Sequence, residues 1–483
     1  MASQNRAADS AHRYHSGGDA SGEKLDNGED LDLAIVGGGF SGLCTAYHLL
    51  SHAGVKSSFR CAIIEPCGRL GAGVAYQTDS PRHLLNVRAK GMSITENDPG
   101  SFVRWLSKAA PEFSPYDFVP RGLYRRYIND CLSHAIEQRQ PGTLSLLCDE
   151  VIAVEPKSGS QWYLLKMKSG RTIRAKAVVL ALGNLPPRNS LDNGLLHSPW
   201  SPCATYHNLR TMAIVGAGLT ALDVILEAEA RGFSGRYLVI SPHGQFPKPH
   251  CEPHLPVPAE LHEWAAELAS DNPKLSSLLR AFQLKRKSGI HWEQLVDSFR
   301  KHSPAIWNGF SLRDKRLFLC RLRTLWNIHL HRSCQKSMQV VSRLKADGRL
   351  EQIAARVTGV EKLDGCVETA VRLKLQSGSL STLDADLAIN GTGLFSNILR
   401  TDSPLIDQLI SSRLAQPDEF KLGLKVNKGG QVLSANGVMQ SNLFTIGTLR
   451  RGSELESTAV PEIRKQVRAM VEEIVGRIAP APK

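Results

Sequence analysis

The sequence contains no long hydrophobic run and no pair of cysteines spaced C-x-x-C. A membrane span requires about eighteen consecutive apolar residues, and no segment approaches that length. The N-terminus lacks the apolar core of a signal peptide, so we expect a cytoplasmic protein without a membrane span. The ten cysteines are scattered along the chain. This pattern indicates small buried side chains, and it favours neither a metal site nor a redox disulfide.

Basic residues outnumber acidic ones but are not gathered into an arm or a stripe. The formal net charge is +13 over 483 residues. Because the basic residues are not interleaved with aromatic ones, we expect no nucleic-acid partner and attribute the charge to attraction of phosphorylated cofactors or an acidic substrate. The length predicts two or three domains. Residues 1–30 are polar and rich in Ser, Gly, Asp and Glu, which predicts a disordered leader.

The most informative pattern is an apolar run at 31–36 that leads directly into G-x-G-x-x-G at Gly37, Gly39 and Gly42. A strand, a glycine-rich turn and a helix in this order bind a dinucleotide. The first glycine permits the tight turn, the second admits a pyrophosphate, and the third lets the helix pack on the strand. Glu65 ends the next strand, at the position where an acid holds a ribose hydroxyl.

A second unit of the same kind begins near residue 212. An apolar strand leads into G-x-G-x-x-A at Gly216, Gly218 and Ala221, and a helix follows. The next strand ends at Ser241 and continues into Pro242 and His243 without an acid.

The absence of an acid at the end of this strand bears on which nicotinamide nucleotide, NADPH or NADH, the protein binds. An acid there would bind the 2′-hydroxyl of NAD, so its absence favours NADPH, with NADH as the alternative. His243, Lys248 and His250 are candidates to approach the 2′-phosphate, although each is equally well explained as an ordinary loop residue.

The two units form an internal duplication. Each is followed by a small β-meander and by a strand that ends in glycine, at 172–183 and at 383–393, and a further strand reaches Gly447 and Thr448 before a helix near Val460. The pattern predicts an α/β fold with two Rossmann-like dinucleotide-binding domains, one for FAD and one for NADP. We expect an FAD-binding domain at 31–190 plus 394–483, and an NAD(P)-binding domain at 205–393 with a helical insert at about 258–337.

The chain resembles the FAD/NAD(P)-binding family related to class B flavin monooxygenases, within it the group of aspartate N-monooxygenases that form nitrosuccinate. The resemblance covers residues 31–468, and the missing C-x-x-C pairs argue against the disulfide-reductase branch of flavoproteins. The matching segments are GGGFSG at 37–42, GVAY at 73–76, HLLNV at 83–87, PGSFVRWL at 99–106, PRGLY at 120–124, GAGLT at 216–220, WNIHLHR at 326–332, NGTG at 390–393 and STAVPEIR at 457–464. Where relatives often show two arginines after the second nucleotide strand, this sequence has Pro242 and His243.

The motifs and the resemblance together imply FAD and NADPH as cofactors. The implied cofactor-binding residues are Gly37, Gly39, Phe40, Ser41, Gly42, Glu65, Tyr76, Leu85, Asn86, Gly183, Gly216, Gly218, Leu219, Thr220, Ala221, Ser241, His243, Gly393, Gly447 and Thr448. Asn86 is expected to orient the oxygenated flavin, although a backbone-turn asparagine is an equal alternative. Arg88, Arg450 and Arg451 are candidates to hold a substrate carboxylate, against the alternative of solvated surface arginines.

The resemblance implies a monooxygenase. NADPH would reduce FAD, the flavin would trap O₂ as a C4a-hydroperoxide, and an amine, expected to belong to an amino acid, would take the distal oxygen and become N-hydroxylated. One alternative is an FAD-dependent NAD(P)H oxidoreductase without oxygen insertion. Another is a non-catalytic flavin-binding redox sensor or interaction protein. The expected partners are a small-molecule substrate and molecular oxygen, and the helical insert is expected to cover the site or to form a homo-oligomer face.

Overall fold

The structure is a computed structural model. It describes residues 30–478 except 57, 141, 158, 189–193, 201–205, 207, 364–368, 377–380 and 394–396. Apart from Asp30, the predicted leader lies outside these residues, as do the predicted domain limits at 190, 205 and 394.

The chain alternates strands and helices. The strands are β1 Asp30–Val36, β2 Cys61–Ile64, β3 Leu144–Leu147, β4 Val151–Pro156, β5 Tyr163–Met167, β6 Thr172–Leu180, β7 Thr211–Val215, β8 Arg236–Ser241, β9 Leu350–Ala354, β10 Arg356–Lys362, β11 Val371–Gln376, β12 Thr382–Ala385, β13 Leu387–Asn390, β14 Gln431–Leu433 and β15 Met439–Thr445. The helices are α1 Phe40–Leu50, α2 Gly73–Tyr76, α3 Ser101–Ala109, α4 Arg121–Glu137, α5 Leu219–Ala230, α6 Ala259–Ser270, α7 Leu275–Lys287, α8 Trp292–Arg300, α9 Ser303–Gly309, α10 Leu312–Leu317, α11 Arg323–Leu330, α12 Gln335–Ala346, α13 Pro404–Ser411 and α14 Val460–Ile478.

The first sheet has eight strands in the order β14-β15-β6-β1-β2-β3, with β4 and β5 as an antiparallel extension of β6. β1 pairs in parallel with both β6 and β2. Its apolar run is buried on both faces, as expected of a strand in the middle of a parallel sheet. One face packs against α1, α4 and α14, and the other against α13. Strand β15 joins this sheet from more than 250 residues further along the chain, beside β6.

The second sheet consists of four parallel strands in the order β13-β7-β8-β9, and a third sheet consists of β10, β11 and β12. The prediction of a single strand at 383–393 is wrong. The extended segment is interrupted at Asp386, which separates β12 from β13. The Asp386 carboxylate accepts hydrogen bonds from the backbone nitrogens of Arg210 and Thr211 at 2.7 and 2.8 Å. It therefore joins the start of β7 to the start of β13 and ends the antiparallel pairing there.

The predicted helical insert consists of α6 to α11. Its helices share a buried cluster with Leu422, a residue that precedes β14 of the first sheet. Trp307 Nε1 donates to the carbonyl oxygen of Gly452 at 2.8 Å, and Arg300 forms a two-point ion pair with Glu462 on α14 at 2.8 and 3.1 Å. In the sequence, the insert therefore lies between β8 and β9 of the second sheet. In the structure, it packs against the C-terminal segments that accompany the first sheet. No helix among the described residues is long and apolar enough to cross a membrane.

Candidate functional site

The first glycine-rich turn connects β1 to α1. Gly37 has a φ of 107°, a conformation that favours glycine. A Cβ on Gly42 would overlap the Gly37 carbonyl oxygen and would lie 3.0 Å from the Gly37 carbonyl carbon. Helix α1 therefore packs on the turn at a distance that only glycine allows, as the motif predicts. Phe40 and Ser41 form the first turn of α1 and are buried.

Glu65 lies beside this turn, directly after β2. Its Oε2 accepts a hydrogen bond from the Gly38 nitrogen at 2.7 Å, and its Oε1 accepts one from Cys67 Sγ at 2.9 Å. The backbone donor in the turn fixes the carboxylate at the edge of the cleft. This is the predicted position for an acid that holds a ribose hydroxyl.

An aromatic cluster covers the start of α1. The ring of Phe40 lies 6.3 Å from that of Tyr76 and 6.0 Å from that of Tyr124, and Tyr76 and Tyr124 are 5.1 Å apart. The Tyr124 hydroxyl is buried and has no hydrogen-bond partner among the described residues. Gly73 and Val74 of α2 are exposed beside Gly39.

Two chain segments from far away in sequence close this site. Gly183 follows β6, which pairs with β1 up to Val36 and Leu180. Gly447 follows β15, and a Cβ on it would lie 3.2 Å from Ser41 Oγ and 3.8 Å from the carbonyl oxygen of Ser457. Both predicted glycines therefore follow the carboxyl ends of strands parallel to β1, at the end of the sheet where α1 begins.

The polar groups at this edge fit a dinucleotide with a flavin ring. Ser457 Oγ is buried without a partner among the described residues, as is the Tyr124 hydroxyl, and such orphaned groups are rare in a finished interior. A Cβ on Gly183 would meet no atom of the described residues within 4 Å. The Gly447 nitrogen already donates to Gln466 Oε1 at 3.0 Å, and Thr448 is buried beside it. The turn, Glu65 and Ser457 are therefore the stronger candidates for direct cofactor contacts.

The second glycine-rich turn, between β7 and α5, repeats the geometry of the first. Gly216 has a φ of 116°, and a Cβ on it would overlap the carbonyl oxygen of Gly391, after β13. A Cβ built on Gly218 or on Gly393 would have no atom of the described residues within 4 Å. Leu219 and Thr220 begin α5, and Ala221 is buried in its first turn. The N-terminus of α5 therefore faces open space at a turn suited to a phosphate.

The residues that the sequence suggests for binding the 2′-phosphate of NADPH do not all lie in the same environment. Ser241 ends β8 next to β7, and His243 and Lys248 are exposed nearby in sequence. His250 does not join them. Its ring nitrogens lie 3.1 Å from Glu293 Oε1 and 3.1 Å from the carbonyl oxygen of Asn86. Because both ring nitrogens contact protein atoms, the structure favours the alternative for His250, an ordinary loop residue, over a contact with the phosphate.

The two nucleotide-binding units are joined by a buried ion pair between α4 and α5. Arg121 contacts Asp223 at 2.7 and 3.3 Å, with side chains only 12 and 8% exposed. Burial raises the pKa of Asp223, and the Arg121 guanidinium opposes that rise. His83 Nε2 adds a contact of 3.2 Å to the Asp223 carbonyl oxygen, and Ser80 Oγ donates to Glu227 at 2.8 Å.

Asn86 lies where the two units meet. Together with Leu85 it borders a cavity of about 20 Å³ whose other wall includes Leu219 and Leu222 of α5. The segment expected beside the flavin therefore lies across this cavity from the start of the helix expected beside the nicotinamide nucleotide. A role for Asn86 in orienting the flavin stays a prediction.

The three arginines expected to hold a carboxylate bind the protein's own backbone. Arg88 donates to the carbonyl oxygens of Tyr116 and Cys251 at 2.7 and 2.9 Å. Arg450 and Arg451 are each 3% exposed. Arg450 donates to the Lys428 carbonyl and pairs with Glu454, and Arg451 donates to the Leu422 carbonyl at 3.1 Å. This placement favours a structural role for all three.

Sequence patterns did not indicate a polar cluster that surrounds Glu293. Ligand atoms of Cys251, His291 and Glu293 lie within 4.8 Å of one another. The Glu293 oxygens are already occupied, since His250 contacts Oε1 and the Cys251 nitrogen donates to Oε2 at 2.8 Å. Burial and Glu293 raise the pKa of the Cys251 thiol to about 11, which disfavours the thiolate that a metal needs. The cluster joins the insert to the Asn86 loop.

Acid is expected to weaken the fold through Glu293. Burial tends to raise the pKa of this side chain, but hydrogen bonds from His250 and Cys251 and the charge of Arg332 outweigh it and lower the pKa from 4.5 to about 2. A carboxyl group whose pKa is lowered by folding stabilises the fold above its unfolded pKa and loses that contribution as pH falls. The loss is about 3 kcal/mol between pH 5 and 2.

Urea unfolding at several pH values measures this effect. Glu293→Gln should be less stable at pH 7 and should lose less stability than the wild type between pH 5 and 2. Glu263→Gln, at an exposed position on α6, is the matched control and should follow the wild type. Equal acid dependence of Glu293→Gln and wild type would show that Glu293 titrates normally.

Comparison with known proteins supports the fold and the first cofactor site. Residues 34–185 match a family model described as FAD-NAD(P)-binding, in agreement with the prediction of an FAD-binding unit in this part of the chain. No curated protein matches the sequence.

Solved structures resemble the chain over nearly its whole length. The ornithine N-hydroxylase of Kutzneria sp. 744, solved with reduced FAD, NADP⁺ and L-ornithine, is 15% identical with a TM-score of 0.61, covering 93% of this chain and 100% of the other. The L-lysine 6-monooxygenase of Pseudomonas syringae is 13% identical with a TM-score of 0.54, covering 92% and 99%. The bacillithiol disulfide reductase of Staphylococcus aureus is 13% identical with a TM-score of 0.55, covering 93% and 99%. These likenesses confirm the predicted α/β fold with two dinucleotide-binding domains.

Proposed function

We propose that the protein is an FAD-dependent, NADPH-using monooxygenase that N-hydroxylates an amine. One observation carries the proposal. The Leu85–Asn86 loop of the first unit and the Leu219 end of α5 in the second border the same small cavity. Two dinucleotides bound at the two turns would therefore meet at this loop. The similar folds of the ornithine and lysine enzymes support an amine as the substrate.

The overall reaction is R–NH₂ + O₂ + NADPH + H⁺ → R–NHOH + NADP⁺ + H₂O. FAD, when bound at the first turn, would supply the redox chemistry of this reaction. The first turn would hold its pyrophosphate, Glu65 its ribose, and Ser457 and the Tyr124 hydroxyl would donate toward it. The turn at Gly216 and the start of α5 would hold the NADPH phosphates. Asn86 lies on the loop where the two cofactors would meet, and we assign it the positioning of the flavin.

The charge beside Ser241 is expected to set the choice of nucleotide. Ser241→Asp should lower kcat/KM for NADPH by at least about tenfold, because repulsion of about 1.4 kcal/mol against a 2′-phosphate suffices for that factor. The value for NADH should rise. Steady-state kinetics with both nucleotides measures this, with Ser270→Asp on the exposed end of α6 as a control for added charge. An unchanged NADPH preference in Ser241→Asp would place the phosphate elsewhere.

The purified holoprotein tests the activity itself. We expect a flavin absorbance spectrum that NADPH bleaches without oxygen, and oxygen uptake that an amine couples to hydroxylamine formation. Flavin reduction without oxygen insertion into any amine would favour a plain oxidoreductase instead. A flavin that NADPH never reduces would favour a non-catalytic redox sensor.

We also propose a division of the chain and a mode of assembly. The FAD-binding domain would comprise 31–190 and 394–483, and the NAD(P)-binding domain 205–393, in a cytoplasmic enzyme. We assign the homo-oligomer contact to the insert, which exposes Leu284, Leu312 and Leu317 by 59, 60 and 47%. Light scattering on the wild type and on Leu312→Gln would test it.

A further inference from the structure

The helical insert lines a cavity whose wall contains no residue of either glycine-rich turn. Its volume is about 460 Å³, within the range of small-molecule sites. Most of its wall is apolar, formed by α7, α8, α9 and α11 together with Leu455. Three tryptophans, Trp292, Trp307 and Trp326, are part of the wall. Leu279 and Leu325, which are 40 and 53% exposed, lie at its open side.

One buried charge lies in this wall. Among the polar residues that line the cavity, Gln283 and Arg286 are exposed. The Ser303 hydroxyl donates to the Phe299 carbonyl oxygen on α8, and His329 Nδ1 donates to the Leu325 carbonyl oxygen on its own helix. Glu456 differs from these four because it is 6% exposed and carries a carboxylate. A buried carboxylate in an apolar wall requires hydrogen-bond donors.

The donors that the protein gives Glu456 leave room for another. Trp326 Nε1 donates to Oε1 at 2.9 Å, and His331 Nε2 lies 3.5 Å from Oε2. Within 4.0 Å, His331 is the sole ion-pair partner of Glu456 among the described residues. The positive charges of Arg300 and Arg323 also act on Glu456, but Arg300 is bound to Glu462. Among the described residues, Oε2 therefore has only the 3.5 Å contact with His331 and can accept a further donor.

The Glu456 end of the cavity lies toward the first nucleotide site. Glu456 directly precedes Ser457, whose hydroxyl is buried and unpartnered among the described residues and whose carbonyl oxygen lies near Gly447. The other two long polar side chains of the wall, Arg286 and Gln283, are exposed. A ligand in the cavity would thus have its apolar part among the aromatic rings and its polar head beside the flavin-site segment.

We propose that this cavity is the substrate site, that the substrate is a primary amine on an apolar chain or ring, and that Glu456 accepts hydrogen bonds from its amino group. The fate of the amine rests on the N-hydroxylation proposed above, whereas its binding does not. A small dicarboxylic amino acid would leave the apolar wall unfilled and would place negative charge against Glu456. The proposal therefore predicts a different substrate class from aspartate.

Tryptophan fluorescence of the FAD-loaded protein, without NADPH, measures binding directly. Straight-chain amines from butylamine to octylamine are titrated, with heptanol and heptanoate as ligands of the same chain length. We expect saturable binding of the amines and a gain of about fourfold in affinity per added methylene. Heptanoate should bind at least tenfold more weakly than heptylamine. Equal binding of the amine and the carboxylate, or no dependence on chain length, would overturn the proposal.

Glu456→Gln isolates the carboxylate. It should weaken heptylamine binding at least tenfold and leave heptanol binding unchanged, whereas Glu263→Gln on the surface of α6 should change neither. Unchanged amine affinity in Glu456→Gln would refute the role of Glu456. If that variant does not fold, as judged by circular dichroism, the comparison of three ligands on the wild type decides alone.

The outcomes separate this inference from the proposed function. Saturable amine binding together with a flavin that NADPH never reduces would leave the site standing and refute the monooxygenase. Hydroxylation of other amines without saturable binding of any alkylamine would do the opposite.

Discussion

Replacing Gly42 with alanine is expected to abolish FAD binding and to destabilise the first domain. The added Cβ would overlap the carbonyl group of Gly37, so α1 would have to move away from the turn. Helix α1 packs between the sheet, α4 and α14, and a close-packed interior resists such a shift. We expect a loss of about 3 kcal/mol or more in the free energy of unfolding, and purified protein without the flavin absorbance band.

Gly218→Ala is the matched control in the second turn. Gly218 has an extended backbone with a φ of −83°, and a Cβ on it would meet no described protein atom within 4 Å. This variant should fold and retain FAD, but its KM for NADPH should rise because the methyl group occupies space meant for the phosphates. Flavin content, chemical unfolding and KM are the measurements. A Gly42→Ala protein that retains FAD with wild-type stability would contradict the packing described for the turn.

Breaking the Arg121–Asp223 pair is expected to uncouple the two nucleotide-binding units. Both side chains are nearly buried, so removing one partner leaves an uncompensated charge at a cost of about 3–5 kcal/mol. In Arg121→Met, the contact between α4 and α5 would loosen, and with it the position of the Asn86 loop against Leu219. We expect NADPH to reduce the flavin at least tenfold more slowly while FAD stays bound.

Two further variants separate charge from packing. The double variant Arg121→Met/Asp223→Leu should recover most of the lost stability, because apolar residues of similar size can replace a buried ion pair. The pair Arg372–Asp384 has side chains 44 and 48% exposed, so Arg372→Gln should leave both stability and flavin reduction unchanged. Equal effects of Arg121→Met and Arg372→Gln would show that the buried pair does not join the units.

Local patterns predicted the nucleotide-binding framework because each of its requirements is written in adjacent residues. An apolar run, three spaced glycines and an acid after the next strand define one unit, so Gly42 and Glu65 could be placed from sequence. The parallel between 172–183 and 383–393 was only partly right. The break at Asp386 depends on the backbone of Arg210 and Thr211, which no local pattern relates to it.

Other contacts between distant segments could not be predicted either, because no local sequence pattern relates the residues that make them. His250 and Lys248 look alike as basic loop residues, yet His250 bonds to Glu293 and Asn86, 43 and 164 residues away. The cavity of the insert and its carboxylate at Glu456 come from four helices and a segment beyond β15. The sequence makes Arg88 a candidate ligand-binding residue, but its guanidinium donates to the carbonyl oxygens of Tyr116 and Cys251, which are distant in sequence.

A balance of products tests the central claim most directly. The FAD-loaded protein is supplied with NADPH, oxygen and a saturating apolar primary amine, and NADPH consumed, hydroxylamine formed and hydrogen peroxide released are quantified together. The account predicts one hydroxylamine for each NADPH oxidised, with little peroxide. Oxidation of NADPH that yields only peroxide or no product with every amine would contradict it.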